Sequence, residues 1–378
     1  MKKLRLFGAL ILCALAAQLV AVSCVSKEEK EVSMEEKIGQ MLMAGFVGYE
    51  PTPLIIDAIE KYKVGGIIYF EANLSDNYGP RNINSPEQVK ALSDSLQAIS
   101  EAAGLPKLLI SIDQEGGRVV RLKEKYGFPA MVSAKYQGDV ACPDTTRKYA
   151  ASAAQTLQEV GININIAPCV DLAVEPTNPV IVKVERSFGA SADSVVLHAS
   201  IWAEEANKQG IINGIKHFPG HGSSLADSHF GIADVTETWS DEELKPYSIM
   251  IANGYDDIVM LGHLFNHNID SIYPSSLSKA TVDILRVDMN YDGVIATDDL
   301  YMGAIAENYK FDLALELAIN AGVDLLLMGN NTKTFDPTLV QRTVETIQQL
   351  IADGRVSEER IDESYERIMK LKARLEAK

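Results

Sequence analysis

Cysteine is scarce in this chain, with four residues in 378. Cys13 falls inside an apolar leader and Cys24 just after it, which leaves Cys142 and Cys169, too few and too far apart for a disulfide framework. No CxxC pair and no His/Cys spacing of the zinc type occurs, so neither a metal nor another cofactor is expected. GxxxxGK[ST] and GxGxxG are missing too, and the glycine pair in Glu115-Gly-Gly-Arg118 does not make a phosphate loop. Positive charge is in deficit: 35 Lys and Arg stand against 52 Asp and Glu, a formal net charge of −17. That argues against nucleic acid or an anionic membrane face as the main partner. Aromatic residues make up 7%, with two tryptophans; Trp202 and Trp239 sit in or beside helical patterns and read as packing residues rather than sugar platforms.

The amino terminus is organised as an export signal. Met1-Lys-Lys-Leu-Arg5 is basic, and Leu6 to Val22 is apolar apart from Gln18, a run shorter than a comfortable membrane span. Residues 1–23 are therefore expected to be removed, which leaves the rest still more acidic because Lys2, Lys3 and Arg5 go with them. Ala21-Val22-Ser23-Cys24 resembles a bacterial lipobox, with Cys24 as the lipidated first residue; Ala21 stands where Leu is commoner, and ordinary secretion is the alternative. Residues 24–33, CVSKEEKEVS, read as a polar tether. The expected location is extracytoplasmic, with membrane contact only through the lipid.

Residues 34–378 alternate between two periodicities. Short apolar runs recur at 41–46, 64–70, 108–113, 162–168, 211–218, 257–263, 293–298 and 324–329. Ile162-Asn-Ile-Asn-Ile166 gives the clearest strand signal. Helical patterns fill the gaps at 53–63, 85–104, 143–160, 191–209, 240–253, 278–289, 312–321, 336–353 and 356–377. Ser85 with Gln88, and Ser240 with Glu243, read as capping boxes, and Gly210, Gly254 and Gly322 as C-cap glycines. The acids and bases of 356–377 read as a solvated outer face. No Pro/Gly/Ser-rich linker divides this part. Eight buried strands alternating with helices predict a single-domain (β/α)8 TIM-type barrel, with an open α/β sheet as the runner-up.

Functional groups in such a barrel gather at the carboxyl ends of the strands. The third run ends at Asp113, the fifth at Lys216-His217, the sixth at His263 and the seventh at Asp298-Asp299. Three of the six histidines, His217, His221 and His229, lie within residues 213–232 beside Lys216 and Asp227. An aspartate two residues before a histidine can orient one ring nitrogen and leave the other free to move a proton. His198 and His267 read as structural.

The pattern Lys-His-Phe-Pro-Gly-His-Gly-x4-Asp-Ser-His at 216–229 resembles the signature of bacterial β-N-acetylglucosaminidases of glycoside hydrolase family 3. KIGQMLMAGF (37–46), VGGIIYF (64–70), DQEGGRVVRL (113–122), NPVI and RSFG (178–189), GVIATDDLYMGAI (293–305) and GRVSEERIDESYERI (354–368) agree in order. The resemblance implies Asp298 as the nucleophile, His229 as acid/base and Asp227 as its orienting partner. It further implies Asp113, Arg186, Lys216 and His217 as binders of the terminal sugar, with Arg121 and His221 contributing. Val182-Lys183-Val184-Glu185 lengthens the segment before Arg186 relative to the family.

Cleavage through an oxocarbenium-like transition state needs a carboxylate on one face of the sugar and a proton donor near the leaving oxygen. A histidine titrates near neutral pH without the burial a glutamic acid needs for that role. The expected activity is a retaining exo-β-N-acetylglucosaminidase acting on a GlcNAc-terminated glycan, from peptidoglycan fragments or chitooligosaccharides. A family 3 β-glucosidase, a GlcNAc phosphorylase and a non-catalytic sugar-binding lipoprotein are the alternatives. A mechanism through the substrate's own acetamido group, with Asp298-Asp299 as a carboxylate pair, would leave Asp227 and His229 without a task.

Overall fold

Each of the eight apolar runs supplies one short parallel strand: β1 Leu42–Gly45, β2 Gly66–Ile68, β3 Leu109–Ile112, β4 Ile164–Asn165, β5 Ile212–Phe218, β6 Ile258–Leu261, β7 Val294–Thr297 and β8 Leu326–Met328. The computed structural model describes residues 32–228 and 231–376; the expected signal at 1–23, Cys24 and His229 lie outside them. Every residue of these eight strands is buried, as expected of parallel strands covered by helices outside and packed side chains within. Neighbours in the ring follow sequence order from β1 to β7, and β8 pairs with β1. The ring is completed by a parallel bridge between Ala296 and Leu325, where Thr297 N donates to Leu325 O at 3.0 Å and Leu325 N donates to Ile295 O at 3.1 Å. The barrel is therefore closed and the open sheet is excluded.

The strand with the clearest alternation, β4, is only two residues long. Its asparagines explain the difference. Asn163 Oδ1 accepts from Ile110 N at 2.8 Å, and Asn165 Oδ1 accepts from Gln114 N at 3.0 Å. Side-chain amides here replace ladder bonds that a longer strand would make through its backbone.

The long helices follow the expected periodicity: Pro86–Ala102, Pro143–Glu159, Ala192–Lys208, Phe311–Ala321, Leu339–Ala352 and Glu358–Glu376. Ser85 Oγ caps the first of these by accepting from Gln88 N at 3.2 Å, and Gln88 Oε1 accepts from Asn84 N at 2.8 Å. Gly210, Gly254 and Gly322 have φ of 75°, 93° and 109° after helix ends, as C-cap glycines should. The expected box at Ser240 does not form: Ser240 makes no side-chain cap, residues Asp241–Leu244 are a 3-10 turn, and Glu243 turns inward to another task. Nor is Glu358–Glu376 simply a solvated face. It buries Ile361, Ile368 and Leu371 against the core, and Lys372 Nζ reaches Gln40 Oε1 at 2.6 Å and Gly65 O at 2.8 Å.

Both tryptophans are structural, as expected. Trp202 Nε1 donates to Gln137 Oε1 at 3.0 Å, and Trp239 Nε1 donates to Pro219 O at 3.1 Å, which braces the loop after β5. His198 is buried, hydrogen-bonded through Nδ1 to Thr146 Oγ1 and stacked on Phe188. No helix among the described residues is long and apolar enough to cross a membrane.

Candidate active site

The carboxyl end of β3 begins the site. Asp113 follows Ile112 directly, and its carboxylate takes Lys216 Nζ at 2.6 Å and Arg121 Nη2 at 3.3 Å. Two residues on, Glu115 takes Lys216 Nζ at 2.8 Å and both arms of Arg186 at 2.8 Å each. The loop can turn so tightly because of Gly116, whose φ is +100° and whose added Cβ would lie 2.2 Å from Val132 O. Gln114 then draws the chain back, accepting from Arg121 N and Leu122 N at 3.0 Å.

Burial works against ionising these carboxylates, but the cations override it: Lys216 and Arg121 hold Asp113 below its ordinary range, and Arg186 with Lys216 hold Glu115 at about 2. Burial likewise opposes the charge on Lys216, and Asp113 with Glu115 raise it nonetheless. All these groups are charged at neutral pH. Removing one member of such a buried cluster leaves its partner uncompensated, at a cost of about 3–5 kcal/mol.

In a regular strand the adjacent residues Lys216 and His217 would face opposite sides. Between Ile215 and Phe218 the register of β5 against β6 shifts, and both side chains line one cavity. A bulge re-aims side chains in this way. His217 is then fixed from behind: Nδ1 lies 2.7 Å from Asp171 Oδ2, and Nε2 lies 3.2 Å from Arg186 Nη2. Asp171 also accepts from His221 N at 2.7 Å. Burial disfavours its charge, yet His217 and His221 keep its carboxyl well below the usual range.

The chain after β5 hangs from two buried carboxylates. Asp171 holds His221, and Glu243 Oε2 accepts from Gly222 N at 2.8 Å and Ser223 N at 3.3 Å. Gly220, with φ +123°, allows the backbone to lie on Glu243, since a Cβ there would be 2.5 Å from that side chain. Burial pushes Glu243 up to about 7, so its proton is held far more tightly than on a surface carboxyl. His221 packs edge-on against His217 and its Nε2 lies 3.3 Å from Ser228 Oγ. Burial and the neighbouring His217 lower it to about 4, so its imidazole is neutral at pH 7. Asp227 is half-buried beyond this anchored base, and His229 lies outside the described residues.

The end of β7 brings both of its aspartates to the cavity wall, rather than sending them to opposite sides as strict alternation would. Asp298 Oδ1 accepts from Asp299 N at 2.7 Å. Asp299 Oδ1 accepts from Tyr301 N at 3.0 Å and Gly329 N at 3.1 Å, and so binds the turns after β7 and β8 together. His263 is not a strand-end acid or base: it follows β6 in a loop, fully buried between Ser276 Oγ and Asp299 O.

The cavity at this end measures about 280 Å³ and its walls include Asp113, Arg121, Lys216, His217 and Asp298. Arg186 and His221, expected at the sugar, stand behind His217 and Lys216 rather than in the wall. Residues 182–185 form a turn closed by Arg186 N donating to Ile181 O at 3.0 Å, which returns the guanidinium to Glu115. Asp171 and Glu71 are not among the residues expected at the site, and Glu115 and Glu243 are expected only in a loop and a helix cap; Glu71 pairs with Lys123 at 2.8 Å and Arg121 at 3.4 Å. Asp171 carried a usable signal, since it follows the apolar run after β4 just as Asp113 and Asp298 follow theirs.

Cys169 Sγ, Asp171 and His217 bring three potential metal donors within 4.8 Å of one another. Those atoms already bond among themselves, with Cys169 Sγ donating to Asp171 Oδ2 at 3.1 Å, and the Arg186 guanidinium beside His217 opposes a further cation. The donor set fits a polar brace better than a metal site.

A family model described as the glycosyl hydrolase family 3 N-terminal domain matches residues 33–371. An uncharacterized secreted glycosyl hydrolase of Arthroderma benhamiae is 31% identical over 96% of this chain and 99% of its own length. The β-hexosaminidase LpqI of Mycobacterium tuberculosis is 28% identical over 90% of this chain and 83% of its own. Among solved structures, a glycoside hydrolase family 3 β-N-acetylglucosaminidase from a Paenibacillus species superposes with a TM-score of 0.83 at 34% identity, covering 91% of this chain. The chain spans 63% of that protein, under two thirds of its length.

Proposed function

The chain belongs to glycosyl hydrolase family 3, and from that premise we propose that it is a retaining exo-β-N-acetylglucosaminidase working by double displacement. The observation that carries the reading is the placement of Asp298 in one cavity of about 280 Å³ with the Asp113–Lys216–Arg121 cluster. That volume lies at the lower end of the roughly 300–1,000 Å³ usual for ligand pockets and suits one terminal sugar rather than a run of them. Relatives named β-hexosaminidase and β-N-acetylglucosaminidase support GlcNAc as that sugar.

In this reading Asp298 attacks the anomeric carbon as the glycosidic bond breaks, and the leaving oxygen takes a proton from His229. Water then gives a proton back to His229 and its hydroxyl to the sugar, freeing Asp298. Asp227 orients His229. Asp113, Lys216, Arg121 and His217 hold the sugar hydroxyls through charge-assisted bonds. Arg186 and His221 position Lys216 and His217 from behind. The natural glycans are GlcNAc-terminated peptidoglycan fragments or chitooligosaccharides.

Residues 1–23 are proposed as an export signal and Cys24 as a lipid anchor for a single catalytic domain at 34–378; the secreted relative supports an extracytoplasmic site. Cys24→Ala should abolish labelling by a fatty-acid probe. For the activity, wild type and Asp298→Gly are compared on aryl β-GlcNAc and aryl β-glucoside, with and without phosphate. Wild type should prefer the GlcNAc glycoside, ignore phosphate and release the β-anomer, and the variant should be inactive. Preference for glucoside, a phosphate requirement, or full activity in Asp298→Gly would each sink the reading.

A further inference from the structure

The cavity that holds Asp298 has one wall that the chemistry above leaves without work. After β2 the chain folds into a small antiparallel ribbon, Ala72–Asn73 paired with Gly79–Pro80 around a 3-10 turn at Leu74–Asp76. Tyr78 sits on this ribbon. It is 74% exposed, the most exposed large apolar side chain among the described residues, and it lines the same cavity as Asp298. Its backbone lies in the left-handed region at φ 63°, next to Asn77 at 46°. A bulky residue there is an outlier, and such outliers persist where the surroundings impose them and a task retains them.

The surroundings anchor the ribbon on both sides of Tyr78. Asn331, from the turn after β8, accepts from Leu74 N at 3.1 Å and donates to Ala72 O at 3.1 Å. Arg81, buried beneath, donates to Asn331 Oδ1 at 3.0 Å, Gly329 O at 2.9 Å and Asn330 O at 3.1 Å. Burial lowers the Arg81 guanidinium to about 10, still charged at neutral pH, and it lies over the Phe70 ring at 5.3 Å. The ribbon is a fixed shelf bolted to the barrel rim, with an aromatic face left open to water at the cavity mouth.

We propose that Tyr78 is the platform for the leaving group, and that this leaving group is a second pyranose ring stacking its apolar face on the phenol. This rests on the hydrolase reading above and adds to it the residue that holds the second ring of the oligosaccharide outside the cavity. A cavity sized for one ring forces the next ring out through the mouth, where an exposed tyrosine offers apolar area with a polar tip at low entropic cost.

The test compares a β-linked GlcNAc disaccharide with β-GlcNAc fluoride, whose leaving group is a single atom with nothing to stack. Wild type, Tyr78→Ala and Tyr78→Phe are assayed on both. Tyr78→Ala should raise KM for the disaccharide about fivefold to tenfold and leave the fluoride within about twofold, and Tyr78→Phe should restore the disaccharide. Equal KM for the disaccharide in wild type and Tyr78→Ala, or equal losses on both substrates, overturns the platform. If wild type cleaves neither compound, the activity reading falls by itself. Calorimetry then decides the shelf without turnover, since Tyr78→Ala must weaken disaccharide binding but not that of free GlcNAc.

Discussion

Glu243→Gln is the perturbation that most directly probes how the loop after β5 is held. The wild-type carboxyl is buried and raised from the usual 4.5 to about 7. Between those values the folded protein keeps a proton that the unfolded chain has released, so stability must fall as pH rises from about 4.5 and level off above about 7. The shift, at about 1.4 kcal/mol per unit, sets the loss at about 3 kcal/mol. Glutamine imitates the protonated form: its oxygen still accepts from Gly222 N and Ser223 N, and it carries no charge. The variant should match wild type near pH 4.5 and exceed it at pH 8. With an unfolding entropy of about 2 cal/mol/K per residue, the excess appears as a melting temperature higher by about 4 °C. Thermal melts at several pH values, alongside kcat at pH 8, measure both. A difference in melting temperature that does not change with pH, or a variant less stable at pH 8, would refute the burial argument. Because the backbone acceptor survives, kcat should stay within about twofold. Glu243→Ala, which leaves two N–H groups unmatched at about 1–3 kcal/mol each, should lower stability and kcat together.

Asp298→Asn should cut kcat at least about a thousandfold and leave the melting temperature nearly unchanged, because the amide keeps an acceptor for Asp299 N; residual turnover near wild type would remove Asp298 from the chemistry. Lys216→Met should raise KM more than it lowers kcat and also destabilise the fold by about 3–5 kcal/mol, since Asp113 and Glu115 lose their shared cation. His229→Ala should chiefly lower kcat, so equal kinetic signatures for these two variants would count against dividing the stretch into sugar-holding and proton-handling parts. Lys372 is lowered from 10.5 to about 7 by burial, so wild type loses stability as pH falls from about 10.5 toward 7. Lys372→Met should therefore gain about 3 kcal/mol relative to wild type between pH 9 and pH 7 in denaturant titrations, and a pH-independent difference would show the amine is charged throughout.

The barrel was legible because its signal is local: each strand announces itself as a short apolar run, and the chain order of runs is the order of neighbours in the ring. The site's wall was legible for the same reason, since Asp113, Lys216, His217 and Asp298 are each read from the end of their own run. Depth was not legible. Whether Arg186 points into the cavity or stands behind it depends on Glu115, 71 positions away, and nothing in either neighbourhood reveals the pairing. Glu243 misled because a serine three residues ahead is the pattern of a local cap, while its real partners, Gly222 and Ser223, lie on another loop. The placement of Lys216 and His217 on one side needed the bulge, which no alternation of residue types records.

Two early segments of the chain are completed only by late ones. The ribbon bearing Tyr78 is bolted down by Arg81 to residues 329–331, and the helix Met34–Gln40 is clasped by Asp362 and Lys372 from Glu358–Glu376. During synthesis, then, the ribbon cannot reach its final state until residues 329–331 have left the ribosome, nor the helix until Asp362 and Lys372 have. β1 also waits for β8, so the growing chain offers no finished half-barrel. A barrel built this way has its opening and closing segments meet across one seam, so loosening either end of the described chain loosens the other.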